Sequence, residues 1–436
     1  MQLRYFIYVL ATACLTLIYA PRLAFHTTMI CEKNENSSLE YLTDKDLLAL
    51  TKQSVAYGLL LAFIPFTAAH VLGTRIVVTI SGFVAASACA AYPFVQSYGY
   101  FLPVFLLRAI QGAPLVTLLW VIARVSHEWA PKKEIGHSIA LLSSVYQLAP
   151  LLAPWLSSVM CSWGDWRYTY YVLAVACFLV HLLFFMFYTD DVSKNRFIKT
   201  EEVEKITQGK ASGDDEKLGN IPYVAILKDV TVWALWIVTL GYFLAILTFL
   251  QWGSLYITQA LGFPVQTAGA SQALTQILCL ILKCVLANRL DASSTDASKK
   301  LKVAFIVVEA PALAFLAIAY YSSNEILKLV SISLFTAVHG IAVVVVIKTQ
   351  VLRAGKYSHI LANGNTATVV ASLFVLPIIV KYLVPTGTEE EWSRVFLMIG
   401  IIVFVSSIIF LKLSTAAVPA LWAQLRRVSV ENIEIQ

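Results

Sequence analysis

Charge is scarce in this sequence. Only 13% of its 436 residues are Asp, Glu, Lys or Arg, 59% are hydrophobic, and the mean hydropathy is +0.74. A soluble globule carries about a quarter charged residues, so the shortage excludes a soluble domain, a disordered tail and a nucleic-acid reader. The signatures of soluble enzymes are missing too: there is no HExxH, GxSxG or phosphate-cradling GxxxxGK[ST], and no metal-ligand spacing. We therefore expect no enzyme, no catalytic residue and no resident cofactor or metal. Glycine is thin, with 19 in all, although transmembrane helices tolerate it well. The seven cysteines form no CxxC pair, and Cys14, Cys89, Cys177, Cys279 and Cys284 lie in apolar runs as small hydrophobes. Cys31 and Cys161 differ, because both fall at non-cytoplasmic helix ends where a disulfide can form.

What the chain has instead is long apolar runs. A helix needs roughly 20 apolar residues to cross the hydrocarbon core. Reading runs against breakers places spans near 5–30, 53–72, 76–96, 100–123, 138–162 and 168–189, then near 229–258, 266–288, 301–321, 327–350, 357–383 and 393–415. The first run outlasts a signal-peptide core and is kept as a span. Residues 190–228 are the one long polar linker, dividing the spans six and six. Within it TEEVEKITQGK suits a short surface helix, and GDDEKLGN reads as flexible. The expected organisation is a bundle over 1–189, a cytoplasmic linker over 190–228, a second bundle over 229–415 and a cytoplasmic tail over 416–436. With both termini cytoplasmic, about 21 of the 32 Lys and Arg residues fall on the cytoplasmic side and about 7 on the other, which accounts for the formal charge of +6 by topology. Asn36 opens an Asn-Ser-Ser sequon on the non-cytoplasmic side, a candidate glycosylation site.

A weak internal repeat is visible. WRYTYY at Trp166 opens the sixth span and WSRVF at Trp392 opens the twelfth, an offset of 226. Two six-span bundles in one orientation, joined by a cytoplasmic linker, describe the major facilitator fold, an all-α membrane architecture of about twelve helices with its substrate site near the midplane.

Particular stretches sharpen this. YAPRLAF (19–25), LLRAIQG (106–112) with EWAPKKE (128–134), WRYTYYV (166–172), LYITQALGFPVQTAG (255–269), YSHILANGNTA (357–367), LPIIV (376–380), VPTGTEEEWSRVF (384–396) and LWAQ (421–424) occur in order. The set resembles the anion:cation symporter family, the group of sialin, the vesicular glutamate transporters and the type I sodium/phosphate cotransporters. The resemblance implies a secondary transporter of organic or inorganic anions working by alternating access, driven by a sodium or proton gradient or acting as a uniporter. Its partners would be a small anionic solute and the lipid bilayer, not nucleic acid, with the protein a monomer in the plasma membrane or a lysosomal or vesicular membrane. One departure is chemical: the acid that the family commonly carries seven residues after the fourth-span arginine is Leu115 here. The alternative is a transport-silent binding or scaffold protein derived from such a transporter.

Few residues are candidates for chemistry. Burying a cation at mid-bilayer costs about 3 kcal/mol on insertion scales, yet Arg22 and Arg108 sit well inside the first and fourth spans, which line the central cavity in this fold. A guanidinium offers a planar fork that fits carboxylate or phosphate. Both arginines are candidate substrate contacts, the other reading being a pairing with an internal carboxylate or helix-end carbonyls. Lys348 ends an apolar run in the tenth span, facing the cavity or snorkelling to the surface. Tyr256 and Asn365 are candidate path-lining residues, as are Tyr146, Gln147 and Asn363; interhelical bonding accounts for them equally well. Glu309 is the only carboxylate plainly inside a span and would relay protons or form a structural ion pair, with Lys283 its candidate partner. His70, His339 and His359 lie near span ends, where they would titrate at vesicular pH or be packed or interfacial.

Overall fold

The computed structural model describes residues 2–35, 39–69, 72–131, 134–208, 222–291, 297–414 and 420–424. Asn36, His70, the GDDEKLGN stretch and the tail after Gln424 lie outside the described residues. Among those described there is no strand.

The helices run α1 (Leu3–Glu35), α2 (Glu40–Thr43), α3 (Lys45–Ala69), α4 (Thr74–Ser97), α5 (Phe101–Gly112), α6 (Thr117–Trp129), α7 (Ile135–Leu142), α8 (Val145–Ser162), α9 (Arg167–Phe187), α10 (Thr200–Thr207), α11 (Tyr223–Lys228), α12 (Val230–Leu255), α13 (Val265–Asp291), α14 (Ala297–Tyr321), α15 (Glu325–His339), α16 (Ala342–Ala354), α17 (Ser358–Leu383), α18 (Glu389–Leu413) and α19 (Leu421–Gln424). Eleven helical stretches among the described residues are long and apolar enough to cross a membrane, and α3 lies where the remaining span is expected. The chain is a multi-pass membrane protein.

Span ends follow local chemistry more closely than hydropathy. Helix α3 starts eight residues before its apolar run because Asp44 accepts from the N–H groups of Asp46 (2.7 Å) and Leu47 (3.0 Å), satisfying two orphan donors of the first turn. Helix α1 meets no breaker after Ile30 and continues to Glu35; its 33 residues reach about 50 Å, against a hydrocarbon core of about 30 Å. In the fourth span Pro114 has no N–H to donate, and a 3-10 turn (Ala113–Val116) separates α5 from α6. Helix α12 ends in a π turn, Tyr256–Ala260. The GTEEEW motif is explained at α18, where Glu391 gathers the N–H groups of Thr386, Gly387 and Thr388.

The chain divides into two compact units, Met1–Asp214 with Leu250–Gln276, and Asp215–Phe249 with Ile277–Gln436. In the first, α1 packs on α8, α4 on α9 and α3 on α5. The α3–α5 contact is backbone on backbone: a Cβ at Gly58 would stand 1.7 Å from the Ala109 carbonyl oxygen, and one at Gly112 would stand 2.2 Å from that of Val55. Cys31 and Cys161 form a disulfide between the ends of α1 and α8. The linker helix α10 lies against the start of α1, where Glu202 accepts from the N–H groups of Leu3 and Arg4, both at 3.1 Å.

The second unit has a core of Val232, Leu235, Phe305, Val345, Leu361 and Phe410. Its LWAQ segment is docked rather than free: Trp422 Nε1 donates to Asp229 (3.0 Å), Arg353 reaches the same carboxylate (2.9 Å), and Ala420 N–H meets the Arg353 carbonyl. Burial pushes the Asp229 carboxyl up, but hydrogen bonds from Trp422, Thr231 and Arg353 outweigh it and hold it below the ordinary aspartate range.

Candidate functional site

Three cations meet in the interior of the first unit, each on a different helix. Arg22 (α1) is 4% exposed, Lys52 (α3) 1% and Arg108 (α5) 0%. Among the described residues none lies within ion-pair distance of a carboxylate. Aromatic faces and carbonyls surround them instead: Arg108 lies 4.1 Å from the Phe25 ring centroid, Lys52 3.6 Å from Trp252 and Arg22 5.4 Å from Tyr19. Such contacts contribute up to about 2 kcal/mol when desolvated, less than the cost of burying a lone cation.

Hydrogen bonding satisfies the cluster only partly. Arg108 Nη1 donates to the Arg22 carbonyl (3.2 Å) and to Gln111 Oε1 (3.0 Å), while its Nε and Nη2 have no partner. Arg22 Nη2 is likewise buried and unpartnered. Lys52 Nζ donates to the Gln251 carbonyl (2.9 Å) and lies 3.3 Å from His26 Nδ1. With lysine as that donor, the His26 proton sits on Nε2, which has no partner either. Four buried donors are thus left open around one group of cations, in a setting where nearly all buried polar groups are bonded. The chemistry they match is an anion with several acceptor oxygens.

The sequence reading found two of these cations and missed the third. Arg22 and Arg108 are brought together through the Arg22 carbonyl. Lys52 escaped because it lies one residue outside the apolar run; the Asp44 cap that extends α3 was the available signal. Tyr256 belongs to the same unit and is 2% exposed.

The other expected site residues lie in the second unit. Lys348 is half-buried on α16. Asn365 exchanges two hydrogen bonds with Gln350, at 2.8 and 2.9 Å, which ties α17 to α16. The Glu309 carboxylate lies 3.0 Å from His339 Nδ1, a partner the sequence did not point to beside its candidate Lys283. His339 is 1% exposed and stacks on Phe335, so it is packed rather than interfacial; Lys283 is half-buried on α13. The side chain of His359 lies outside the described residues.

One correction concerns acids. Glu309 is not the only carboxylate inside a span, because the extension of α1 carries Glu32 inward, where it is fully buried. The apolar run stopping at residue 30 concealed it.

A family model described as Major Facilitator Superfamily matches residues 5–373. The chain belongs to the Major Facilitator Superfamily. Among curated proteins this facilitator is similar to human sialin, 24% identical over 71% of this chain and 63% of that protein. The chain therefore spans less than two thirds of sialin's length in that match. The match to rabbit sodium-dependent phosphate transport protein 1, at 22% identity, covers 97% of this chain and 95% of the relative. Among solved structures, the inward-open xylose transporter XylE from E. coli gives a TM-score of 0.69 at 13% identity, covering 97% of this chain and 99% of that one. A bacterial homologue of the human lysosomal transporter Spinster gives 0.67 at 10% identity, over 94% and 96%. These likenesses show the fold.

Proposed function

We propose that this facilitator is a secondary transporter of small organic or inorganic anions, working by alternating access, with Arg22, Arg108 and Lys52 holding the anion. The observation that carries the reading is the set of open donors on Arg22, Arg108 and His26 beside three cations that have no carboxylate within ion-pair distance among the described residues. An anion entering this group would complete those bonds and neutralise charge in a medium where Coulomb energies are large. The relative named as a sodium-dependent phosphate transport protein agrees with an anionic substrate. Lys348 and Tyr256 are proposed as further contacts along the path, and both termini are proposed to be cytoplasmic.

The test is uptake by purified protein in liposomes, with phosphate, urate, sialate, glutamate and aspartate under imposed sodium, proton and voltage gradients. Saturable uptake lost in Arg108→Ala is the expected result. No uptake of any of these anions by folded protein refutes the reading and favours a transport-silent binding protein.

A further inference from the structure

Among the described residues Glu32 is the one fully buried acid of the first unit, and nothing in the anion site uses it. Among the described residues, the groups hydrogen-bonded to its carboxylate are hydroxyls. Oε1 accepts from Thr28 (3.1 Å) and Tyr92 (3.3 Å), and Oε2 from Tyr92 (3.1 Å) and Tyr41 (3.3 Å). Tyr170 completes the cage by bonding Thr28 at 2.8 Å and stacking on Tyr92 at 4.4 Å. Four elements contribute, α1, α2, α4 and α9, and among the described residues no cation lies within ion-pair distance of Glu32. Two other acids at this end are matched: Glu35 pairs with Arg167 at 2.9 Å, and Asp165 pairs with the same guanidinium at 3.3 Å.

The cage is coupled to the cations. The Phe25 ring lies between the two groups of residues, 4.1 Å from Arg108 and 6.1 Å from the Tyr92 ring. Arg22 and Glu32 share α1, ten residues and about 15 Å apart along its axis. At that range a unit charge in a low-dielectric interior is still felt.

Resting on the anion-transport reading, we infer that Glu32 is the proton-binding group of this chain and that its protonation strengthens anion binding at Arg22, Arg108 and Lys52. Adding a proton removes a negative charge from the surroundings of the cations, so an incoming anion meets less repulsion. By linkage the bound anion strengthens proton binding equally. The two would therefore bind together, although the fourth-span position holds Leu115. A proton suits the cage better than sodium, because a carboxyl O–H needs a single hydroxyl turned to accept it, whereas a metal ion would need several presenting lone pairs at once.

The experiment measures equilibrium binding of sialate and of inorganic phosphate to the purified full chain, from acidic to neutral pH, with and without sodium. For the wild type the dissociation constant is expected to rise with pH, by up to about tenfold per unit in the linked range. Glu32→Gln, which keeps the shape of a protonated side chain, should bind tightly at every pH. Tyr92→Phe, lacking one donor to the carboxylate, should keep the dependence with its midpoint displaced to higher pH. Infrared titration of the protein without anion should show a carboxylic C=O band that Glu32→Gln lacks. A Glu32→Gln protein with the wild-type pH dependence, a flat wild type, or a sodium dependence that the substitution abolishes would overturn the inference and leave anion transport standing. If neither anion binds at any pH, the transport reading and the linkage fall together, while the infrared band still decides whether Glu32 takes the proton.

Discussion

Gly58→Ala should both destabilise the first unit and displace the anion site. The added methyl would stand 1.7 Å from the Ala109 carbonyl oxygen and 2.6 Å from its carbon. Carbon–oxygen contact begins at about 3.3 Å, so α3 and α5 must part by roughly 1.5 Å. The obstacle is backbone, with no rotamer to give way, so the cost should reach the upper end of the range of about 1–3 kcal/mol for overpacking. For a unit of this size that corresponds to a fall in melting temperature of roughly 5–10 °C. Arg108 precedes Ala109, so the same shift carries its guanidinium away from the Arg22 carbonyl and Gln111. Melting of the detergent-solubilised protein and anion uptake are the paired readouts. Gly400→Ala is the control, since its new methyl would meet only Leu316 Cδ2 at 3.4 Å, an ordinary contact. If Gly58→Ala melts with the wild type, the close approach of α3 and α5 is wrong, and with it this placement of Arg108.

Two further substitutions test the second unit. Glu309→Leu leaves both ring nitrogens of His339 unbonded, since Nε2 already lacks a partner; leaving a buried polar group unsatisfied costs about 1–3 kcal/mol, and the double substitution Glu309→Leu/His339→Leu should recover much of it on thermal melting. Asp229→Asn should loosen the docked LWAQ segment, raising maleimide labelling of an Ala423→Cys reporter. Because the folded Asp229 carboxyl is held below its unfolded value, its contribution is fully present above about pH 4 and is lost as pH falls through the folded value. The ratio of parent to Asp229→Asn labelling, which cancels the reporter's own thiolate fraction, should therefore rise on acidification.

Hydropathy alone located the spans and identified Arg22 and Arg108 as cations in apolar surroundings, and the helix-end placement of Cys31 and Cys161 agrees with their disulfide. What it missed lies at span ends. Thr51 and Lys52 fall just before the second span as read at 53–72, yet both are buried because the Asp44 cap starts the helix earlier and carries them inward. Glu32 was hidden in the same way by the continuation of α1. Hydropathy reports where lipid is tolerated, whereas a polar side chain at a span end is decided by neighbouring helices. The Glu309–His339 pair was illegible for another reason: which of several nearby cations an acid meets depends on helix rotation, which the one-dimensional pattern does not contain.

Helix α1 is anchored at both ends. Glu202 holds its first turn and Arg4 pairs with Glu134 at 3.0 Å, while the Cys31–Cys161 bond and the Glu35–Arg167 pair hold the other end. A rod fastened at both ends can neither slide along its neighbours nor turn about its axis. Arg22, His26 and Glu32 are consequently fixed in step with the body that carries them, and any stroke that moves one toward either face of the membrane must transport all three.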